Sequence, residues 1–200
     1  MEKDTITLGT YPQKMDSEQE AIEWIILKKE KDRYLCISKH LLDCKPYHET
    51  SENITWENCS LRKWLNDYFF ITAFTKEEQK RIQITNIETP LHKTKDHIFL
   101  LSSEEADAYF SFDERAAKTT QYARKQGAWF IDDNNDEYFL NGSWWLRYPK
   151  SLYEDIEEEG ESELYTILSC VNFDGYIEDA AEEASGIECC VRPAFWLKTE

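Results

Sequence analysis

The sequence is short of positive charge: 23 Lys and Arg stand against 40 Asp and Glu in 200 residues, a formal net charge of −17. Its average field repels phosphate, which argues against a nucleic-acid partner. Glycine is scarce as well, with six in all, and none sits in a phosphate-cradling pattern. Neither GxSxG nor HExxH occurs, and His40, His48, His92 and His97 show no triad or metal spacing. The six cysteines, Cys36, Cys44, Cys59, Cys170, Cys189 and Cys190, contain no CxxC pair and no Cys/His zinc pattern, so reduced thiols are expected. Cys189 and Cys190 are adjacent, which makes a bridge between them strained. No apolar run approaches the ~18 residues of a membrane helix. The opening MEKDTITLGTYPQ has no basic-then-apolar leader pattern, so the expectation is a cytoplasmic protein without a membrane partner. Sequons at Asn53, Asn58 and Asn141 matter only in a secreted chain.

What is present is material for a core. Hydrophobic residues make up 41% and aromatics 14%, including 7 Trp, 11 Tyr and 10 Phe. A chain of this length buries roughly 70% of the surface it exposes when unfolded. No repeat and no Pro/Gly/Ser linker divides it, so residues 1–200 read as a single domain. Charge is uneven along it. Between Ser151 and Val191 there is no Lys or Arg, while 13 acids fall there, from Glu154 to Glu188. The simplest reading is a solvated loop; the sharper ones are a surface for a basic partner or a cation site.

The first forty residues read as strands. Ile6 to Gly9 opens, and Ile22 to Leu27 pairs with Tyr34 to Ser38 as a hairpin. Leu61, Trp64, Leu65, Tyr68 and Phe69 recur at helical spacing behind a Ser60 cap. Thr75 with Glu78 and Ser102 with Glu105 are capping boxes, and Thr119 to Lys125 is a short helix closed by Gly127. His97 to Leu101, Trp144 to Arg147, Leu164 to Val171 and Val191 to Leu197 read as strands, with Asp174-Gly175 as a turn. The fold class is therefore α+β: a mixed, mostly antiparallel sheet, helices in the first two thirds, and a loop-rich C-terminal third.

The strings LGTYPQ (Leu8 to Gln13), IEWIIL (Ile22 to Leu27), WENCSLRKWLN (Trp56 to Asn66), AFTKEEQ (Ala73 to Gln79), WWLR (Trp144 to Arg147), the DG turn and VRPAFW (Val191 to Trp196) follow one another along the chain. Together they resemble a bacterial domain family of unknown function, one similar to the C-type lectin-like fold of formylglycine-generating enzymes and of retroelement variable proteins. The resemblance implies a single C-type lectin-like domain, paired N- and C-terminal strands, and a ligand face built from C-terminal loops. It implies no particular reaction.

In WWLR, alternation puts Trp144 and Leu146 on one face and Trp145 and Arg147 on the other. Arg147 and Arg192 are expected to pair inside the domain, since a buried guanidinium needs partners. The aromatic and polar residues between motifs are the candidates for ligand contact: Trp129, Tyr138, Tyr148, Tyr153, Asn172, Asp174 and Tyr176. The alternative is that these rings fill the core beneath the loops. Trp129 with Asp174 could stack and grip a sugar. Asp132, Asn134 and Asp136 offer hard oxygen ligands for calcium, but the EF-hand pattern fails at Glu137 and Ser143, and a polar turn has the same composition. No cofactor is otherwise implied. The leading expectation is a non-catalytic recognition module that binds a protein or small ligand through its C-terminal loop face. The alternatives are a thiol-dependent enzyme using Cys170, Cys189 or Cys190, with Cys170 partnering one of the others across neighbouring strands, and an acidic, polyanion-mimicking inhibitor of a basic partner.

Overall fold

The computed structural model describes residues 3–16, 18–50, 54–89, 92–147, 168–182, 184–186 and 188–199. Thirteen strands occur among them: β1 (Thr5–Pro12), β2 (Gln19–Lys29), β3 (Arg33–Ser38), β4 (Asp43–Cys44), β5 (Thr85–Glu88), β6 (Lys93–Asp96), β7 (Ala117–Lys118), β8 (Asn141–Gly142), β9 (Trp144–Trp145), β10 (Leu168–Val171), β11 (Ile177–Glu182), β12 (Cys190–Val191) and β13 (Ala194–Lys198). The helices all lie between Ser60 and Lys125. The fold is mixed α+β, with helices in the middle of the chain and short strands joined by loops toward its end.

Four strands form one antiparallel sheet in the order β1-β2-β3-β13. The expected hairpin is β2 with β3, whose register sets Ile25 opposite Ile37. The closing strand pairs with β3 and not with β1, which corrects the expectation that the first and last strands are neighbours: they occupy opposite edges of one sheet. A second sheet runs β11-β10-β9-β12-β4, antiparallel except where β12 meets β9. Val191 to Leu197 is not one strand, because Arg192 and Pro193 interrupt it, and Pro has no N–H for a ladder. The interruption lets β12 serve the second sheet and β13 the first.

Large rings fill the interior. Trp24 is fully buried, donates from its indole N–H to the Leu8 carbonyl at 2.8 Å, and packs edge-on against Phe195 with centroids 4.6 Å apart. The helix after Cys59 runs as α over Ser60–Lys63, π over Trp64–Phe69 and α over Phe70–Ala73. Its cap is the Cys59 thiol, which accepts from the Arg62 N–H at 3.4 Å, in place of Ser60. Leu61, Leu65 and Phe69, four apart, are buried, whereas Tyr68 is 57% exposed. The wider π turns therefore break up the five-residue apolar face expected of a plain α-helix.

The Thr75–Glu78 and Ser102–Glu105 capping boxes are both formed, opening helices at Lys76–Arg81 and Ser103–Tyr109. Residues 97–101 are not a strand. Phe99 exchanges two hydrogen bonds with Ala194, at 2.9 and 2.8 Å, and Leu101 accepts from the Arg147 N–H, so an irregular buried segment satisfies its backbone through isolated bonds to distant residues. Trp144, Trp145, Leu146 and Arg147 are all buried, so both faces of WWLR point into protein.

Arg147 and Arg192 are held internally. Arg147 donates to the Leu100 carbonyl at 2.6 Å, and its Nη2 lies 3.0 Å from Glu105 Oε2. Arg192 donates to the carbonyls of Ser38, at 3.1 Å, and Arg115, at 2.9 Å, between the rings of Phe110 and Trp144. Burial pulls its guanidinium below the usual arginine range.

Candidate functional site

The sequence Asn172-Phe-Asp-Gly-Tyr176 makes the turn between β10 and β11. Gly175 N–H donates to the Asn172 carbonyl at 2.9 Å, Asn172 N–H to the Tyr176 carbonyl at 2.8 Å, and Asp174 Oδ1 accepts from Tyr176 N–H at 2.9 Å. Gly175 has φ +95°, open to glycine and disfavoured for other residues. The turn is pressed against the short helix Phe112–Arg115, so that a Cβ on Gly175 would come within 2.3 Å of the Phe112 carbonyl oxygen. Asn141, nearly buried, donates to the Phe173 carbonyl at 3.0 Å and ties the turn to β8.

Phe173 is the hub. Trp129 leans on it with centroids 5.5 Å apart, and Tyr138 meets it edge-on at 5.7 Å. A pocket of about 210 Å³ opens there, lined by Trp129, Ser143, Asn172, Phe173, Glu188 and Cys189. On the other side of the turn a pocket of about 540 Å³ is lined by Ser103, Glu104, Asp107, Phe112, Arg115 and Tyr176, among others. That volume lies in the range of small-molecule sites. Trp129 is 45% exposed, Tyr176 56% and Phe112 44%, so three large rings border the pockets without filling the core.

Of the candidates read from sequence, Trp129, Tyr138 and Asn172 thus gather around Phe173, Tyr176 lines the second pocket, and Asp174 closes the turn between them. Tyr148 and Tyr153 lie outside the described residues, as do eight of the 13 acids between Ser151 and Val191. The Asn172 amide donates to Glu178 Oε2 at 2.8 Å, while its carbonyl faces the Cys170 thiol at 3.5 Å. The acid sharing a pocket with Trp129 is Glu188, not Asp174, whose carboxylate serves the turn. Phe173, Phe112, Ser143 and Glu188 escaped the sequence reading. Phe112 had a visible signal, since Ser111 and Glu114 form a capping box around it.

The loop from Trp129 to Asn141 uses its acids on its own backbone. Asp133 Oδ1 accepts from the N–H of Asn135 at 3.0 Å, and Asp136 Oδ1 from the N–H of Tyr138 at 2.7 Å. Two carboxylates of the Asp132–Glu137 run are therefore engaged as turn caps. Among the described residues no group of three or more His, Cys, Asp or Glu side chains is placed to hold a metal ion. Leu140 ends the loop at φ +71°, a strained value for a leucine, fixed by bonds from Leu140 N–H to Ile131 and to its carbonyl from Thr119. The electrostatics are acidic: Glu137 foremost, then burial and the carboxylates of Asp174, Asp113 and Asp136, raise the Tyr138 phenol above its usual range.

All six cysteines are reduced and buried. Cys170 and Cys190 are not on neighbouring strands, because β9 with Trp144 and Trp145 stands between β10 and β12; the residue facing Cys190 is Cys44 on β4. Burial raises the thiols of Cys36 and Cys59 to about 12 and that of Cys190 well above its ordinary value.

Among the described residues no helix is long and apolar enough to cross a membrane. Residues 31–199 match the family model described as domain of unknown function DUF6273. No curated protein and no solved structure matches the chain. The matched region begins at the β2–β3 turn, while β1 and β2, with the buried Trp24, complete the first sheet from outside it.

Proposed function

This chain belongs to the DUF6273 family, and we propose that it is a non-catalytic recognition module, one C-type lectin-like domain over residues 1–200 that binds a protein or small ligand through its C-terminal loop face. The observation that carries the reading is the arrangement around the 172–176 turn, where Trp129, Phe112 and Tyr176 stand exposed beside two pockets on a turn locked by Asn141 and Gly175. A rigid scaffold presenting exposed rings at the rim of concave surfaces is the usual arrangement of a binding site. Support for the lectin-like reading is that the candidate face is made by the later loops, although the first and last strands lie at opposite edges of their sheet. The raised Cys190 thiol supports the non-catalytic part, since it is one of the three thiols an enzymatic reading would use and a protonated buried thiol is a poor nucleophile.

The test is capture from a lysate of the protein's source at moderate salt, using wild type and a Trp129→Ala/Tyr176→Ala variant with an unchanged unfolding midpoint. Wild type retains a stoichiometric ligand and the variant loses it. Equal retention by both refutes the assignment of this face.

A further inference from the structure

The two pockets beside the turn share a composition that recognition in general does not require: aromatic walls and carboxylate rims. In the smaller one, Trp129 and Phe173 stand beside Glu188 and the hydroxyl of Ser143. In the larger one, Phe112 and Tyr176 stand beside Glu104 and Asp107. Three carboxylates line them against one guanidinium, that of Arg115. Arg115 is already engaged: its Nη1 lies 3.3 Å from Asp107, its guanidinium sits 5.6 Å from the Phe112 ring centre, and its side chain is only 11% exposed. It shows in miniature what the surface accepts, a cation held between a ring and an acid.

The face of an aromatic ring attracts a cation, an indole most of all, and the aliphatic stem of Lys or Arg covers the ring while its head reaches an acceptor. A neutral group would gain the ring contact and leave the carboxylates to lose water without compensation. An anion would meet Glu188 or Asp107 directly. The field agrees, since Glu137, Asp174, Asp113 and Asp136 all act on Tyr138, which packs on Phe173 of the smaller pocket. The chain as a whole carries −17, which steers basic partners toward it.

We propose that this face recognises a basic segment of a partner protein, seating one Lys or Arg side chain between Trp129 and Glu188 and a second on Tyr176 beside Glu104. The proposal rests on the reading that the 172–176 face is the binding surface, and it adds the chemistry of the ligand.

The test uses the full chain and a fluorescein-labelled nonapeptide of alternating Arg and Gly, followed by anisotropy at low and moderate salt. A matched peptide carries citrulline, which keeps the shape of arginine and removes its charge. The arginine peptide binds, and the citrulline peptide binds at least about tenfold more weakly. Trp129→Ala, Tyr176→Ala and Glu188→Gln each weaken the arginine peptide by about threefold to tenfold. Glu77→Gln, which removes an acid from the exposed surface of another helix, leaves it unchanged. Each variant is accepted only if its unfolding midpoint matches wild type.

If all four variants bind like wild type, attraction is diffuse and the proposal is overturned. If the citrulline peptide binds as tightly and the first three variants weaken both peptides, cation recognition is overturned while the binding face itself stands. Absence of binding by either peptide also overturns the basic-segment proposal, and leaves the face to be judged by the capture experiment.

Discussion

Gly175→Ala is the sharpest test of how the turn is built. The new Cβ would sit 2.3 Å from the Phe112 carbonyl oxygen, 3.3 Å from its carbonyl carbon and 3.4 Å from Ala116 N. The helix behind these atoms is anchored, because the Arg115 carbonyl accepts from the Trp144 indole at 3.1 Å and from Arg192 at 2.9 Å. The turn must therefore retreat. A left-handed backbone costs a non-glycine residue about 1–2 kcal/mol, and forced overpacking adds about 1–3 kcal/mol. The sum, about 2–5 kcal/mol, is a large part of the 5–15 kcal/mol typical of a folded domain. Urea unfolding followed by tryptophan fluorescence should show a lower midpoint with an unchanged slope. The melting temperature should fall by roughly 2–4 °C for each kcal/mol in a chain of this size. Adding Phe112→Ala should not rescue the variant, since the atom it meets is backbone. A loss below about 0.5 kcal/mol, within the range of an ordinary surface change, would refute the packing argument.

Three further outcomes follow from the geometry. Glu78 accepts from the N–H of Gly9 at 2.8 Å and of Thr75 at 2.7 Å; burial opposes ionisation, yet those donors hold the carboxyl below its ordinary value. Its contribution is present above the unfolded carboxyl pKa and lost as pH falls through the folded one, so Glu78→Gln should cost about 1–2 kcal/mol at pH 7 and less below pH ~4; parallel stability curves from pH 7 to 3 would contradict this. Arg192→Lys should destabilise more than Arg192→Met, by urea midpoint, because lysine keeps the buried charge without the fork that reaches Ser38 and Arg115, and the reverse order would count against the account. A thiol titration of native protein at neutral pH should be slow at all six cysteines and complete after denaturation; rapid reaction of Cys190 in the folded protein would favour thiol chemistry instead.

The parts of the fold that were legible from sequence carry their own local chemistry. Thr75 with Glu78, Ser102 with Glu105 and Asp174-Gly175 each fix a few backbone groups without help from distant residues, and all three stand where they were read. Features set by partners far along the chain were not legible. The apolar run at residues 97–101 has the composition of a strand, but it meets Ala194 only at the isolated bridge of Phe99 and Arg147 only at Leu101, so no ladder forms. The π turns at Trp64–Phe69 leave the sequence spacing of the rings untouched while changing which of them face outward. The hairpin of β5 and β6 was missed because Lys93–Asp96 is polar, though Thr94 and Asp96 are its buried positions. At the candidate site the exposed rings were readable as types, but Phe173, an apolar residue inside a turn, acquires its central place only through Trp129 and Tyr138 arriving from another loop.

The position of β13 bears on how the protein reaches its native state. Its register sets Ala194 against Ile37 and Lys198 against Arg33, a separation of about 160 residues, so the first sheet gains its fourth strand only after the long stretch between β3 and β13 has been made. Until then the β3 edge offers unpaired backbone groups beside apolar side chains, a surface prone to mispairing with other chains. Synthesis on the ribosome would thus leave a three-stranded intermediate waiting, and this member of the family should depend more on chaperones, and yield more inclusion bodies when expressed fast, than its net charge alone would suggest.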